Sequence, residues 1–232
     1  MKVEYSTQTL NHPNPIARFA HRHRNRKSIS LANNLVKSNS KIIVDYGCGK
    51  GVFVDSLRRG GFKFAYGYEP YMEQAIDRSY IVKDKKLIPT GNVELVTLFE
   101  TIEHLDTDEL DSFFDFCRLC LNESGKILIS APLEIGPAVI LKDIVRSILF
   151  KRPLEYSFIE LLKCGLFGMS IERSKNIKHS HKGFDFRKII TLIRKRYGKV
   201  KVLGYGPLPI NTWYGNSQVY FQIELYNRNT IK

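Results

Sequence analysis

A stiff β-branched run that breaks into three closely spaced glycines constrains this chain more than any other feature. Lys41-Ile42-Ile43-Val44-Asp45 is apolar, and Tyr46-Gly47-Cys48-Gly49-Lys50-Gly51 follows it directly. β-Branched side chains favour extended backbone. Glycines let a chain bend tightly and approach another group with no Cβ in the way. The segment therefore reads as a buried strand and a bend, with a helix over Val52–Arg59 after it. The alternation continues: Phe64-Ala65-Tyr66-Gly67-Tyr68-Glu69 reads as a strand, 71–82 as a helix, and Val93–Phe99 and 126–131 as two more strands. Between those last two, Leu110, Phe113, Phe114, Cys117 and Leu121 fall at helical spacing, and Asp106 with Glu109 fits a capping box at the start of that helix. Strands alternating with helices predict a parallel, doubly wound α/β sheet.

The pattern changes after Pro132. Two helix-like stretches, 138–150 and 156–166, lie among irregular connections. Phe186, Ile189, Ile190, Ile193 and Tyr197 then mark a further helix, and strands near 200–204 and over Gln218–Leu225 close the chain as a hairpin. The expected organisation is a basic arm or helix over 1–40 and one domain over 41–232, with an insertion at about 133–180 covering the ligand edge of the sheet.

The 232 residues are enough to bury a sizeable core, and 43% hydrophobic content excludes a disordered chain. Apolar runs of about five residues fall far short of the roughly 20 that a bilayer span needs, and the N-terminus has no apolar signal region. Four cysteines in a chain of this length do not form a disulfide framework, so a reduced, cytoplasmic setting is expected. Cys117-x-x-Cys120 has no second pair to complete a zinc site, and one of its cysteines sits on an apolar helical stripe. The net charge of +13 is unevenly spread: 151–201 carries fourteen basic residues and four acids, whereas 93–115 carries eight acids and no Lys or Arg. A basic frame around an acidic centre points to an anionic partner: a phosphorylated small molecule, nucleic acid or an anionic membrane surface.

The glycine bend is G-x-G-x-G after an acid, without the G-x-G-x-x-G of dinucleotide sites or a Gly-Lys-Ser/Thr phosphate loop. The next strand ends in Glu69, 18 residues beyond Gly51, where an acid can accept hydrogen bonds from a ribose diol. Over about residues 40–132 this combination resembles the class I S-adenosylmethionine-dependent methyltransferases. The resemblance implies a Rossmann-like seven-stranded sheet with helices on both faces. It also implies that Gly47, Gly49 and Gly51 pass beneath the methionine and ribose of S-adenosyl-L-methionine and that Asp45 orients the turn and reaches the amino group. Glu69 then grips the ribose hydroxyls, and Phe99 contacts the cofactor.

Glu100-Thr101-Ile102-Glu103-His104 follows a strand at the edge where open α/β sheets bind ligands. In a helical turn, positions i, i+3 and i+4 share a face. Glu100, Glu103 and His104 are therefore expected to converge as two carboxylates and an imidazole, a set that suits a divalent cation. Together with His179-Ser180-His181-Lys182-Gly183-Phe184-Asp185-Phe186, the segment resembles the E-x-x-E-H…H arrangement of metal-dependent O-methyltransferases, with Gly183 as an extra residue. The resemblance implies Mn or Mg held by Glu100, Glu103, His104 and either His179 or His181, with His181 favoured. In that reading the metal holds and acidifies an acceptor hydroxyl, and His104 or His179 takes its proton. A metal-free pocket with His104 or His181 as general base is the alternative, followed by a degenerate, non-catalytic site.

Three segments also resemble methyltransferases encoded with capsule and O-antigen genes: Asn14 to Arg22, the His181 segment, and Asn216-Ser217-Gln218-Val219-Tyr220-Phe221. That resemblance implies a sugar hydroxyl, or a phosphate-like group on a surface-polysaccharide precursor, as acceptor. The rival readings are an RNA 2′-O-methyltransferase, whose nucleic-acid partner the charge allows, and a cofactor-binding partner subunit without chemistry. The basic arm from Arg18 to Lys27 suits phosphate capture. The 138–150 stripe reads as a lid helix or as peripheral contact with an anionic membrane.

Overall fold

The computed structural model describes residues 15–71, 78–150 and 153–226. Seven strands form one sheet: β1 (Ile42–Tyr46), β2 (Ala65–Tyr68), β3 (Ile81–Val82), β4 (Val93–Phe99), β5 (Leu121–Pro132), β6 (Gly198–Gly206) and β7 (Gln218–Leu225). Their order is β3-β2-β1-β4-β5-β7-β6. The helices are α1 (Pro15–Leu35), α2 (Val52–Arg59), α3 (Thr107–Cys120), α4 (Pro137–Phe150), α5 (Phe158–Leu161) and α6 (Phe186–Arg196). The chain divides into two compact units, Met1–Phe99 with Asp115–Leu128 and Glu100–Phe114 with Ile129–Lys232. The basic residues 15–35, part of the stretch expected as an arm or helix, are helical and belong to the first unit. Among the described residues no helix is long and apolar enough to cross a membrane.

In the first unit β1 is paired in parallel on both sides, with β2 and with β4. Strands covered in this way read as unbroken apolar runs, and Ile43, Val44, Leu95, Val96 and Leu98 are fully buried. The register sets Asp45 opposite Gly67 on one side and Thr97 on the other, at the carboxyl end of the sheet's centre. Helix α2 turns Phe53, Val54 and Leu57 inward, and Arg58 and Arg59 in its last turn complement the helix dipole. Helix α1 packs on α2, with Asn25 Nδ2 donating to Ser56 Oγ at 3.3 Å.

Half of the helix expected over 71–82 falls at 72–77, outside the described residues. Its end is not helical: Ile81 and Val82 pair in parallel with Gly67 and Tyr68 as β3. Two β-branched residues beside an open strand edge gain ladder hydrogen bonds there, from Gly67 N to Tyr80 O and from Glu69 N to Val82 O. Leu121 likewise opens β5 instead of extending the α3 stripe, so that strand, Leu121–Pro132, begins well before the expected 126–131. The capping box is present, with Asp106 N donating to Glu109 and Glu109 N to Asp106.

In the second unit β6 and β7 pair antiparallel. The stretch expected as a helix over 156–166 is the short α5, capped by a Ser157–Glu160 box, and then a π-helical turn at Leu162–Leu166. Helix α6 buries Phe186, Ile190 and Ile193. Phe114, fully buried, stacks on Tyr197 with ring centroids 3.9 Å apart, and the Tyr197 hydroxyl bonds Asp111. Emptying so closely packed a place removes both the transfer energy and the stack. Phe114→Ala is expected to cost about 3–5 kcal/mol, read from the midpoint of a urea titration at unchanged slope.

Candidate active site

The first unit carries the glycine bend. Gly47, Gly49 and Gly51 all have positive φ, at 74°, 52° and 73°, a region that side chains with a Cβ rarely enter. The bend is tied to β2: Gly47 N and Cys48 N both donate to Tyr68 O, at 2.8 and 3.1 Å. Gly49 N donates to Glu69 Oε2 at 2.9 Å, and Tyr71 N to Glu69 Oε1 at 3.2 Å. Glu69 is thus a buried carboxylate fixed against the bend by two backbone donors. Asp45, 4% exposed, accepts a 2.6 Å hydrogen bond from Thr97 Oγ1. Burial, against the pull of that bond and with help from the Glu69 charge, pushes its carboxyl up to about 7. Phe99 lies edge-on to Phe53, with centroids 4.8 Å apart. Sequence reasoning missed Thr97; its register position beside Asp45 on the neighbouring strand is the signal that finds it. A backbone track without Cβ atoms, flanked by two acids, fits a narrow ligand rich in hydrogen-bond donors such as S-adenosylmethionine.

The second unit holds a cluster of different chemistry. Glu103, His104 and His181 each bring one donor atom to within 4.8 Å of the others. The two histidine Nε2 atoms are 3.2 Å apart, and each is 3.8 Å from Glu103 Oε1. Metal–ligand bonds of about 2.0–2.2 Å set donor atoms roughly 3–3.6 Å from one another, so the triangle closes on a cation with small adjustments. Glu103 is 2% exposed, and neither of its carboxylate oxygens has a hydrogen-bond partner. Such a group costs several kcal/mol to bury uncompensated. Burial, the Glu100 charge and the Glu134 charge hold its pKa well above the ordinary carboxylate range. His104 Nδ1 lies 2.8 Å from Ile177 O. As donor there, it leaves the lone pair on Nε2, facing the cluster. Burial foremost lowers the pKa of both imidazoles, so both are neutral at neutral pH and suited to ligation.

Glu100 is not in this group. Its φ is +50°, and it precedes the 3₁₀ turn Ile102–His104, so the helical spacing that would have aimed it with Glu103 does not exist. Its carboxylate accepts instead from Gln218 Nε2 at 2.6 Å and Ser130 Oγ at 3.4 Å. Of the two distal histidines the structure brings in His181; His179 is exposed and lies outside the cluster. Cys117 and Cys120 are buried free thiols that join no metal group among the described residues.

Two further residues hold the cluster, and pattern reading found neither. The Arg173 guanidinium donates to Glu103 O at 2.5 Å, His181 O at 2.9 Å and Lys182 O at 3.2 Å, clamping the two halves together. Glu134, buried 3.9 Å from His181 Nδ1, is bonded by Lys142 and Tyr156. Burial would raise its pKa, but the Lys142 charge and those hydrogen bonds bring it below the ordinary value. Gly183, the extra residue of the distal motif, has φ +74°, and a Cβ there would meet Glu172 O at 2.2 Å. Only glycine allows the loop to pass at that point.

A strand–glycine bend–helix at the centre of this seven-stranded sheet defines the class I, S-adenosylmethionine-dependent methyltransferase fold. Residues 17–157 match the family described as "Methyltransferase domain", and the chain belongs to it. Three solved structures are similar in fold. A protein of Pyrococcus horikoshii OT3 is 16% identical, with 97% of this chain and 100% of that one aligned at a TM-score of 0.57. A SAM-dependent methyltransferase from Archaeoglobus fulgidus is 13% identical over 90% and 99% of the two chains, at 0.54. The methyltransferase domain of bacterial CtHen1 is 17% identical over 88% and 98%, at 0.51. No curated protein matches the chain.

The unpartnered carboxylate has a measurable signature. The folded state holds the Glu103 proton to higher pH than the unfolded chain, so it binds more protons in that window and stability falls as pH rises through it. Glu103→Gln is expected to stabilise the metal-free protein at neutral pH by about 1–2 kcal/mol, since an amide costs less to bury than a charge, and to flatten that decline in thermal unfolding. Should the cluster take Mn²⁺, Arg173→Gln is expected to weaken that binding by about ten- to a hundredfold in calorimetry, as loss of an outer-shell support does, while far-UV circular dichroism is unchanged.

Proposed function

We propose that the chain is an S-adenosylmethionine-dependent O-methyltransferase assisted by a divalent metal, Mn or Mg, whose acceptor is a sugar hydroxyl or phosphate-like group of a surface-polysaccharide precursor. The buried, unpartnered Glu103 between two neutral imidazoles carries the metal part of this reading. Glu103, His104 and His181 would hold the ion, with Arg173 and Ile177 O fixing their orientation. A metal bound there would supply Lewis acidity, lowering the pKa of a coordinated hydroxyl towards neutrality.

The donor supplies a methyl group on a sulfonium sulfur. The acceptor oxygen attacks that carbon, the C–O bond forms as the C–S bond breaks, sulfur keeps the electron pair, and the hydroxyl proton passes to a base. The chain's part is to position and orient. The positive-φ glycines give the donor a track without side chains, and Asp45 and Glu69, preset by Thr97 and by the bend's own N–H groups, face its polar end. Methyl transfer needs no covalent enzyme intermediate, so the reading requires no nucleophilic triad.

One observation favours a second reading. With Nδ1 committed to Ile177, His104 keeps a basic Nε2, and a neutral imidazole there can take the acceptor's proton without a metal. The acceptor class rests on resemblance in three segments, and two residues of the last of these have internal roles. Asn216 binds Leu208 N, Ile210 O and Thr212 O, and Gln218 holds Glu100. An RNA acceptor is the rival.

The deciding experiment is an acceptor screen with labelled donor, with and without Mn²⁺ and with excess chelator. Transfer to a nucleotide sugar or phosphorylated sugar that stops with chelator is expected, as is weaker donor binding in Glu69→Ala by calorimetry. Full transfer in chelator would replace the metal by the His104 base. Salt-sensitive transfer to oligonucleotides instead of sugars would replace the acceptor. Donor binding with no transfer to any acceptor would make this a silent subunit.

A further inference from the structure

Among the described residues of 141–169, in the second unit, nine large apolar side chains are solvent-exposed. Ile148, Phe158 and Phe167 are 72%, 76% and 72% exposed. Scattered exposed apolar residues are ordinary, but a concentration of this kind marks an interaction surface.

On α4 the exposed set forms one stripe. At about 100° per residue, Leu141, Ile144 and Ile148 lie roughly 100°, 40° and 80° around the helix from Ile140. Ile140 itself packs against the π-helical turn, where a Cβ on Gly165 would come within 2.5 Å of its Cγ1. The stripe therefore runs beside that turn, whose end exposes Leu166 and Phe167. The opposite side of α4 is polar and bound inward: Lys142 pairs with Glu134, and Arg146 with Asp143 and Glu155. Lys182 pairs with Glu160. Each carboxylate between 133 and 170 is thus paired with a cation of its own unit, Asp143 and Glu155 sharing Arg146. The π-helical turn carries an exposed Lys163. Among the described residues, this face is thus bulky and apolar, carries a cation, and has no carboxylate between 133 and 170 without a cationic partner.

We propose that this surface docks on an anionic lipid bilayer, with α4 and the α5–π segment lying in the headgroup region. The charge and apolar content match that partner jointly: aliphatic side chains enter the acyl boundary and cations meet anionic headgroups. A nucleic acid could stack on Phe158 and Phe167 but would gain nothing from the exposed Leu and Ile side chains that make up most of the set. The chain's +13 adds long-range attraction of the same sign. The inference is independent of the metal and acceptor assignments above, so either can fail without the other.

The test is cosedimentation of the full chain with phosphatidylcholine vesicles, with and without phosphatidylglycerol, over a salt series. Binding is expected only with the anionic lipid, weakening as salt rises. The double variant Ile148→Asp, Phe167→Asp is expected to lower retention on the order of tenfold, with circular dichroism and S-adenosylmethionine binding unchanged. Lys163→Glu should weaken binding at low salt alone. No retention on anionic vesicles, or equal retention of the double variant, overturns the proposal. So does a concentration-dependent dimer in sedimentation velocity that the double variant abolishes, because the face is then covered by a second copy.

Discussion

The candidate site depends on a carboxylate that the protein buries and leaves without a partner. Glu103 sits with both oxygens unbonded, against two imidazoles that burial keeps neutral. No arrangement of hydrophobic packing rewards that placement, and the nearby Glu100 and Glu134 charges make it worse. A fold tolerates such a cost where the group is completed by something it binds, and the proposed cation would complete it. The supporting contacts agree with that economy of purpose. His104 is turned by a backbone carbonyl, and one guanidinium clamps the two backbone segments that carry the donors.

The glycine bend is solved differently. Its carboxylates each have a partner within the protein: Asp45 a hydroxyl from the adjacent strand, and Glu69 amides of the bend and of the loop beyond β2. The bend is therefore preorganised, with little rearrangement left for a donor to drive. The cluster, by contrast, stores an electrostatic cost that binding relieves. One chain thus uses two physical strategies, rigidity at one site and stored charge at the other.

Much of this was legible in the residue pattern. The central strands, the bend, α2 and the Asp106–Glu109 cap follow from short-range rules about β-branching, glycine and capping. The failures share a cause. Glu100 was grouped with Glu103 on the assumption of a continuing helix, and a single left-handed residue cancels that periodicity. Ile81 and Val82 looked helical until an adjacent strand edge offered hydrogen bonds. Thr97 and Arg173 carry no local signal, because Thr97 acts on Asp45 across 52 residues and Arg173 ties its own segment to Glu103 across 70.

Taken alone, the sequence determined where the backbone can bend and which short segments carry acids and imidazoles, since sterics and side-chain chemistry act over a few residues. The tertiary structure decided which of those groups meet. It set His181 against His104 across 77 residues, gave Glu100 to Gln218, and left His179 in solvent. Such choices depend on register, on one guanidinium and on a glycine pressed against a carbonyl. They are long-range constraints that no window of sequence contains.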